Sequence, residues 1–244
     1  TRYVHLGSGN YNEDTARLYT DIGLLTTNEI LANDVSEFFN VITGHSLPSN
    51  YRNLITAPRD MRRQLIEYIE QEAENARNGL PSGIFIKVNS LEDSETIYAL
   101  YRASQSGVTI KLIVRGICCL RPGRPGLSEN IEVISLVGDF LEHSRIYHFH
   151  NNGQTRTYSG SADMMVRSFD KRLESLFKVE SPLLEKQLMN ILAFNLRDNV
   201  NAYVMQEDGT YKPKFPSGDE MEFNVHKEFF NLLADEVMAV KLVE

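Results

Sequence analysis

The chain has few of the residues and patterns that mark several large protein classes. It contains only 2 cysteines and no tryptophan among its 244 residues. The cysteines, Cys118 and Cys119, are adjacent, so a bridge between them would be strained, and no zinc-type spacing surrounds them. A disulfide-stapled scaffold is therefore excluded, and we expect reduced, buried thiols in a cytoplasmic protein.

Long apolar runs are also missing. No run approaches the ~18 residues that a membrane-spanning helix needs, and the first residues do not resemble a signal peptide. With 42% hydrophobic residues and no low-complexity tract, the chain is expected to fold around a sizeable core. It starts at Thr1 within an apparent strand and without a methionine, so we expect a piece of a longer protein.

Positive charge is outweighed overall, with 25 Lys and Arg against 33 Asp and Glu, but it is concentrated locally. The formal net charge of −8 argues against a general nucleic-acid binder, because such proteins are usually basic. The middle of the chain is nevertheless rich in basic residues, namely Arg115, Arg121, Arg124, Arg145, Arg156, Arg167, Lys171, Arg172 and Lys178. They form either a solvated basic face or a local anion site.

The order of the elements predicts an α/β fold. GIFIKVN, DSETIYALYRASQSG and VTIKLIV have the patterns of a strand, a helix and a strand, so we expect a parallel pair with a right-handed crossover. Arg115 follows the second of these strands, at the carboxyl end where open α/β sheets bind ligands. The stretch from Leu141 to Asp163 is predicted to be a strand, a turn and a second strand. Other helices are predicted after a cap at Thr26 or Thr27, from about Pro58 to Arg77, over SPLLEKQLMNILAFNL, and from about Asp219 to Val240.

Two parts of the chain repeat the same order of residues. At a constant offset, Gly7-Ser8-x-Asn10 falls on Gly160-Ser161-x-Asp163, Tyr19 on Arg172 and Asp21 on Glu174. Gly-Ser turns are common, but the matching downstream order predicts a duplicated architecture of two half-sites.

The predicted strand over LEHSRIYHFH carries a candidate anion site. Alternate strand residues share a face, so His143 and Arg145 would point the same way. Imidazole can attack phosphorus or carry a proton near neutral pH, and guanidinium stabilises phosphoryl oxygens. The alternative is that both are ordinary surface residues. His148 and His150 lie on the opposite face without an acid or cysteine at a useful spacing, so no metal site is predicted.

Several segments, in order, are similar to those of one known family. They are YVHLGSGNYNEDTARLYTDIGLLT, GLPSGIFIKVNSLED, GVTIKLIVRGICCLRPG, ISLVGDFLEHSRIYHFHNNG and SGSADMMVRSFDKRLE. The H-x-K/R and Gly-Ser-x-Asn/Asp pattern resembles the phospholipase-D superfamily, and these segments resemble the bacterial polyphosphate kinases built on that fold. The resemblance implies an α/β fold with a phospholipase-D-like mixed sheet flanked by helices. Residues 1–53 would be the tail of a first catalytic domain, and residues 54–244 a complete second one.

The resemblance also implies an enzymatic activity. An ATP-polyphosphate phosphotransferase of this family moves the γ-phosphoryl group of ATP reversibly to inorganic polyphosphate through a phosphohistidine, with Mg²⁺. The residues matching Tyr19, Arg115, His143 and Arg172 bind the phosphates of ATP or ADP in the family. His143 is the catalytic candidate, expected to orient phosphate or to protonate a leaving oxygen. Arg145 and Arg167 are weaker candidates, suggested by geometry and charge.

The family's nucleophilic histidine belongs to an H-x-K motif that we expect upstream of Thr1, together with the Mg²⁺ ligands. His5 lacks the lysine two residues on and does not match that nucleophile. We therefore expect this chain alone to be inactive, and expect its parent to be a homo-oligomer. A cytoplasmic location is expected, with peripheral association with the inner membrane left open.

Two other functions remain open at this point. A phospholipase-D-like phosphodiesterase or nuclease would use the same histidine pair on a diester, and a non-catalytic anion-binding fragment would need no reaction. The net charge of −8 and the kinase-like segments RGICC and ARLYTD count against the phosphodiesterase. ATP, ADP and polyphosphate are thus the expected partners, with no nucleic acid and no transmembrane segment.

Overall fold

The computed structural model of the chain describes residues 1–45 and 50–231, and it confirms the mixed α/β fold. In these two ranges, nine strands form one mixed sheet. In spatial order they are β13 (Tyr211–Pro213), β12 (Ala202–Met205), β7 (Ile131–Leu136), β6 (Ile110–Val114), β5 (Ile84–Val88), β9 (Ile146–Phe149), β10 (Arg156–Gly160), β11 (Glu174–Lys178) and β4 (Leu54–Ala57).

The helices and the short strands complete the described part of the chain. The helices are α1 (Glu13–Ala16), α2 (Glu29–Ile42), α3 (Met61–Arg77), α4 (Ser94–Gln105), α5 (Val166–Asp170), α6 (Pro182–Arg197) and α7 (Val225–Asn231). Outside the large sheet, β1 (Val4–Gly7) pairs with β3 (Gly23–Thr26), and β2 (Tyr19–Thr20) pairs with β8 (Leu141–Glu142).

The centre of the large sheet is the predicted parallel unit. Strands β5, β6 and β7 are parallel neighbours, whereas the remaining pairs of this sheet are antiparallel. Every residue of β5 is buried, as expected for a strand that is covered on both faces. Parallel pairing brings the carboxyl ends of β5 and β6 together at one edge of the sheet.

Helices cover both faces of the sheet. On one face, α3 and α4 pack through side chains such as Leu65, Ile69 and Leu100, each with 0% exposure. On the other face, Leu188 and Leu192 of α6 pack in a second apolar cluster. The buried residues of α3 recur at the spacing of helical turns, so burial of one apolar stripe drives its packing.

Two helix starts differ from the sequence-based prediction because side chains further along the chain act as caps. Helix α2 begins after Asn28, whose side chain accepts a hydrogen bond from the Leu31 amide at 3.0 Å, and not after Thr26 or Thr27. Helix α7 begins at Val225 and not near Asp219, because Asn224 accepts from the amides of the first turn. Its predicted end near Val240 lies outside the described residues.

The single strand predicted over LEHSRIYHFH is wrong, because the chain changes sheets within it. Strand β8 pairs with β2, and the amide of His143 still donates to the carbonyl oxygen of Thr20 at 3.1 Å. Strand β9 then enters the large sheet between β5 and β10. His143, Ser144 and Arg145 lie between the two strands and outside any ladder.

Two expectations from the composition can be compared with the described residues. Both cysteines are free, but Cys119 is exposed and Cys118 is only partly buried, so the expectation of buried thiols is wrong. Within residues 1–45 and 50–231, no helix has the length and apolar character needed to cross a bilayer.

The packing of α3 gives a first testable prediction. Leu65→Ala should lower the free energy of unfolding by about 2–5 kcal/mol, because it removes buried methyl groups and leaves a cavity. Leu183→Ala is the matched control on α6, since Leu183 is 55% exposed, and it should change stability by about 0.5 kcal/mol or less. Urea unfolding followed by circular dichroism measures both, and equal effects of the two substitutions would contradict this core.

Candidate anion-binding site

A polar cleft of about 460 Å³ opens where the ends of several strands meet. Its walls come from the loop after β1, the carboxyl ends of β5 and β6, the segment between β8 and β9, and the residues after β10. Five residues predicted from the sequence line it together, namely Arg115, His143, Arg145, Arg167 and Arg172.

Tyr19, the sixth predicted residue, lies beside the cleft and not in its lining. Its ring packs against the imidazole of His143, with 4.7 Å between the ring centroids. It lines a neighbouring pocket of about 340 Å³. Tyr19 therefore contacts the site through His143.

Arg115 is held at the end of β6 by a residue that sequence reasoning missed. Its Nε and Nη2 donate to Oδ1 of Asn89, at 3.0 and 2.6 Å. Asn89 follows β5 just as Arg115 follows β6, so the strand-end argument that found the arginine applied equally to the asparagine. Partial burial lowers the pKa of Arg115, and the nearby charge of Arg145 lowers it further. The guanidinium of Arg115 remains charged at neutral pH and can attract an anion into the cleft.

His143 is oriented by a carboxylate from the first half of the chain. Its Nδ1 lies 2.7 Å from Oδ1 of Asp21, which also accepts a hydrogen bond from Oγ of Ser8 at 2.8 Å. Partial burial raises the pKa of Asp21, but the hydrogen bonds from His143 and Ser8 outweigh this and lower it below its ordinary value. Because an ionised carboxylate only accepts, the Nδ1 of His143 carries a proton and donates a hydrogen bond to Asp21.

Arg145 forms the floor of the cleft. Its Nε and Nη2 pair with the two carboxylate oxygens of Asp163, at 3.2 and 3.3 Å. Its Nη1 donates to the carbonyl oxygen of His143 at 2.8 Å and lies 3.0 Å from the Nε2 of that residue. His143 and Arg145 therefore both point into the cleft, as expected, although neither lies in a strand, and the guanidinium of Arg145 is engaged within the protein.

Arg167 and Arg172 lie at the rim and are exposed. The side chain of Arg172 is 56% exposed, and its Nη1 is 3.9 Å from Oε1 of Glu174. Basic side chains in this position can bend toward a multiply charged anion without breaking a buried contact.

The repeat found in the sequence is visible as repeated geometry. In the first copy, Ser8 donates to Asp21, and the amide of Ile22 donates to Oγ of Ser8 at 3.0 Å. In the second copy, Ser161 donates to Glu174, and the amide of Ser175 donates to Oγ of Ser161 at 3.3 Å. A Cβ on Gly160 would collide with the carbonyl oxygen of Ser175, and a Cβ on Gly7 would lie 3.0 Å from that of Ile22. Close backbone approach thus explains the glycine in each Gly-Ser pair.

The two copies differ in one respect. Asp21 holds the imidazole of His143, whereas no histidine contacts Glu174 among the residues that the structure describes. Burial raises the pKa of Glu174, although the hydrogen bond from Ser161 lowers it.

Comparison with known proteins identifies the family. The model of "Polyphosphate kinase C-terminal domain 2" matches residues 54–225, and that of "Polyphosphate kinase C-terminal domain 1" matches residues 1–48. This chain belongs to the polyphosphate kinase family. Polyphosphate kinase of Thermosynechococcus vestitus is 49% identical over 225 residues, which are 92% of this chain and 31% of that protein. The polyphosphate kinase of Synechocystis is 51% identical over 219 residues, 90% of this chain and 30% of that protein.

A solved polyphosphate kinase has the same fold. The crystal structure of the enzyme from Porphyromonas gingivalis superimposes with a TM-score of 0.91 at 37% identity, over 98% of this chain and 36% of that one. The chain therefore spans about a third of the length of these polyphosphate kinases.

The hydrogen bond between His143 and Asp21 gives a second prediction. In His143→Ala, the pKa of the Asp21 carboxyl should rise, because a donor that favours the ionised form is lost. A ¹³C NMR titration of the carboxyl carbon measures it. His45→Ala removes an exposed histidine that does not line the cleft, and it should leave the Asp21 pKa unchanged. A pKa of Asp21 that stays the same or falls in His143→Ala would contradict the pairing.

Proposed function

We propose that this chain supplies much of the phosphate-binding site of a polyphosphate kinase, which transfers the γ-phosphoryl group between ATP and polyphosphate. The observation that carries the proposal is the meeting of Arg115, His143 and Arg172 in one cleft, in a chain of this family. A cleft rich in guanidinium groups suits a polyanion whose charge increases at the transferred group.

The proposed reaction has two steps. A histidine nitrogen attacks the γ-phosphorus of ATP, and the bond to the bridging oxygen breaks, so ADP leaves with the electron pair. An oxygen at the end of polyphosphate then attacks the phosphohistidine, which releases the imidazole and lengthens the chain by one unit. Arg115 and Arg172 stabilise the charge on the phosphoryl oxygens. His143, held by Asp21, orients the phosphate or protonates the leaving oxygen.

The repeated geometry suggests where the nucleophilic histidine acts. Asp21 holds His143, and Glu174 has the equivalent position in the second copy. We place the nucleophile, a histidine outside residues 1–244, beside Glu174 and on the opposite side of the cleft from His143. This arrangement would give each carboxylate one imidazole.

The Mg²⁺ implied by the family does not fit the described residues. Within residues 1–45 and 50–231, no group of three or more histidine, cysteine, aspartate and glutamate side chains could hold a metal ion. The cleft carboxylates are already engaged: Asp21 with His143, Asp163 with Arg145, and Glu174 with Ser161. Assembly into homo-oligomers and a cytoplasmic location stay predictions.

Binding of short polyphosphate tests the proposed site. Arg115→Ala and Arg172→Ala should each raise the Kd about tenfold or more, because a hydrogen bond to a charged group contributes about 1.5–3 kcal/mol. Added salt should weaken binding by the wild type more than by either variant. Isothermal titration calorimetry measures both effects.

Two controls make this titration decisive. Arg77→Ala removes an exposed arginine that pairs with Glu74 on α3, and it should leave the Kd unchanged. Single-stranded DNA of matched charge should bind weakly. If DNA binds as tightly as polyphosphate, or if the cleft substitutions have no effect, the assignment fails and a phosphodiesterase becomes the better hypothesis.

A further inference from the structure

A buried ion pair lies directly behind the segment that carries His143. Nζ of Lys87 is 3.0 Å from Oε2 of Glu142, and the two side chains are 1% and 5% exposed. Lys87 interrupts the otherwise apolar sequence of β5, where every residue is buried. A buried ammonium group is strongly unfavourable without a partner, so this lysine requires a specific set of acceptors.

All three donors of Lys87 have acceptors, and these acceptors flank His143. Besides Glu142, the ammonium group donates to the carbonyl oxygen of Ser144 at 3.1 Å and to its Oγ at 2.6 Å. Glu142 and Ser144 are the chain neighbours of His143. This is the stretch that crosses between two sheets, and strand pairing reaches it only through the amide of His143, which donates to Thr20. Lys87 adds a contact to the backbone on the other side of His143, at Ser144.

His226 of α7 holds the same carboxylate from a third direction. Its Nε2 lies 2.9 Å from Oε1 of Glu142, and the residue is 3% exposed. Because the carboxylate only accepts, Nε2 carries the proton. Nδ1 has no partner among the described residues and packs against Gly138, where an added Cβ would lie 2.5 Å away. The imidazole therefore has little room to turn away from Glu142.

Glu142 is ionised at neutral pH. Burial raises its pKa, but the charge of Lys87 and the hydrogen bond of His226 more than offset this and lower the pKa to about 2. Burial lowers the pKa of Lys87, although Glu142 counteracts the effect.

We propose that Lys87, Glu142 and His226 form a buried clamp that positions His143 for phosphoryl transfer and couples the site to α7. The proposal rests on the function proposed above. From the front, Asp21 and Tyr19 fix the imidazole of His143; from behind, the clamp fixes its backbone. The clamp residues are positioning residues, since none of them lines the polar cleft. A displacement of about 1 Å in such a group can slow a reaction about a hundredfold.

His226→Ala and His226→Gln test the clamp in the whole protein, including any sequence beyond residues 1–244. In His226→Ala, kcat for polyphosphate synthesis should fall about tenfold or more, with the KM for ATP nearly unchanged, because positioning affects the transition state more than binding. The glutamine amide can still donate to Glu142, so His226→Gln should recover most of the lost kcat. His45→Ala, an exposed histidine outside the clamp, should behave like the wild type.

A second readout does not depend on activity. Diethyl pyrocarbonate should modify His143 several times faster in His226→Ala than in the wild type, and near the wild-type rate in His226→Gln, as measured by mass spectrometry of the His143 peptide. If the wild type makes no polyphosphate, the proposed function fails, and the modification rates alone decide the clamp.

The clamp is overturned if His226→Ala matches the wild type in both kcat and modification rate. It is also overturned if His226→Gln is as impaired as His226→Ala at equal Tm. Should His226→Ala not fold, Ser144→Ala is the alternative, because it removes one acceptor of Lys87 without leaving a charge unpaired. It should lower kcat and raise the modification rate of His143 severalfold. If neither value changes, the clamp is overturned.

Discussion

Arg145 and Asp163 form a buried, two-point ion pair in the floor of the cleft, and three walls of the cleft attach to it. Arg145 also donates to the carbonyl oxygens of His143 and Ser8, so it joins the segment after β8 to the loop after β1. Asp163 accepts from the amide of Asn89 at 2.8 Å and thereby holds the end of β5. Removing either charge would leave the other buried and unpaired, at a cost of about 3–5 kcal/mol. The shape of the site and the stability of the fold therefore depend on the same contact.

This arrangement separates the charges that build the cleft from those that face a ligand. Arg145 is 6% exposed and donates its hydrogen bonds to groups of the protein, whereas Arg167 and Arg172 are exposed at the rim. Arg115 is intermediate, since Asn89 orients it at the strand end. A chain with net charge −8 can therefore present a local positive field, because its basic groups converge at one edge of the sheet.

Local sequence patterns were sufficient for part of this picture. The β-α-β unit, Arg115 at its strand end and the repeated Gly-Ser pairs all follow from spacing along the chain. The break at His143 did not follow, because it depends on pairing of β8 with β2, far away in sequence. The burial of Lys87 inside an apolar strand could not be predicted either, because it depends on the ion pair with Glu142, which is also far away in sequence. Asn89 could have been predicted from the sequence, since it occupies the same strand-end position as Arg115.

We propose that the cleft between the two repeated halves binds phosphate groups. A crystal structure of the whole protein with a non-hydrolysable ATP analogue would locate them. We expect terminal phosphates within hydrogen-bonding distance of Arg115, His143 and Arg172. Phosphates bound elsewhere in the occupied protein, for example in the separate pocket that Arg59 and Arg63 line, would contradict this site.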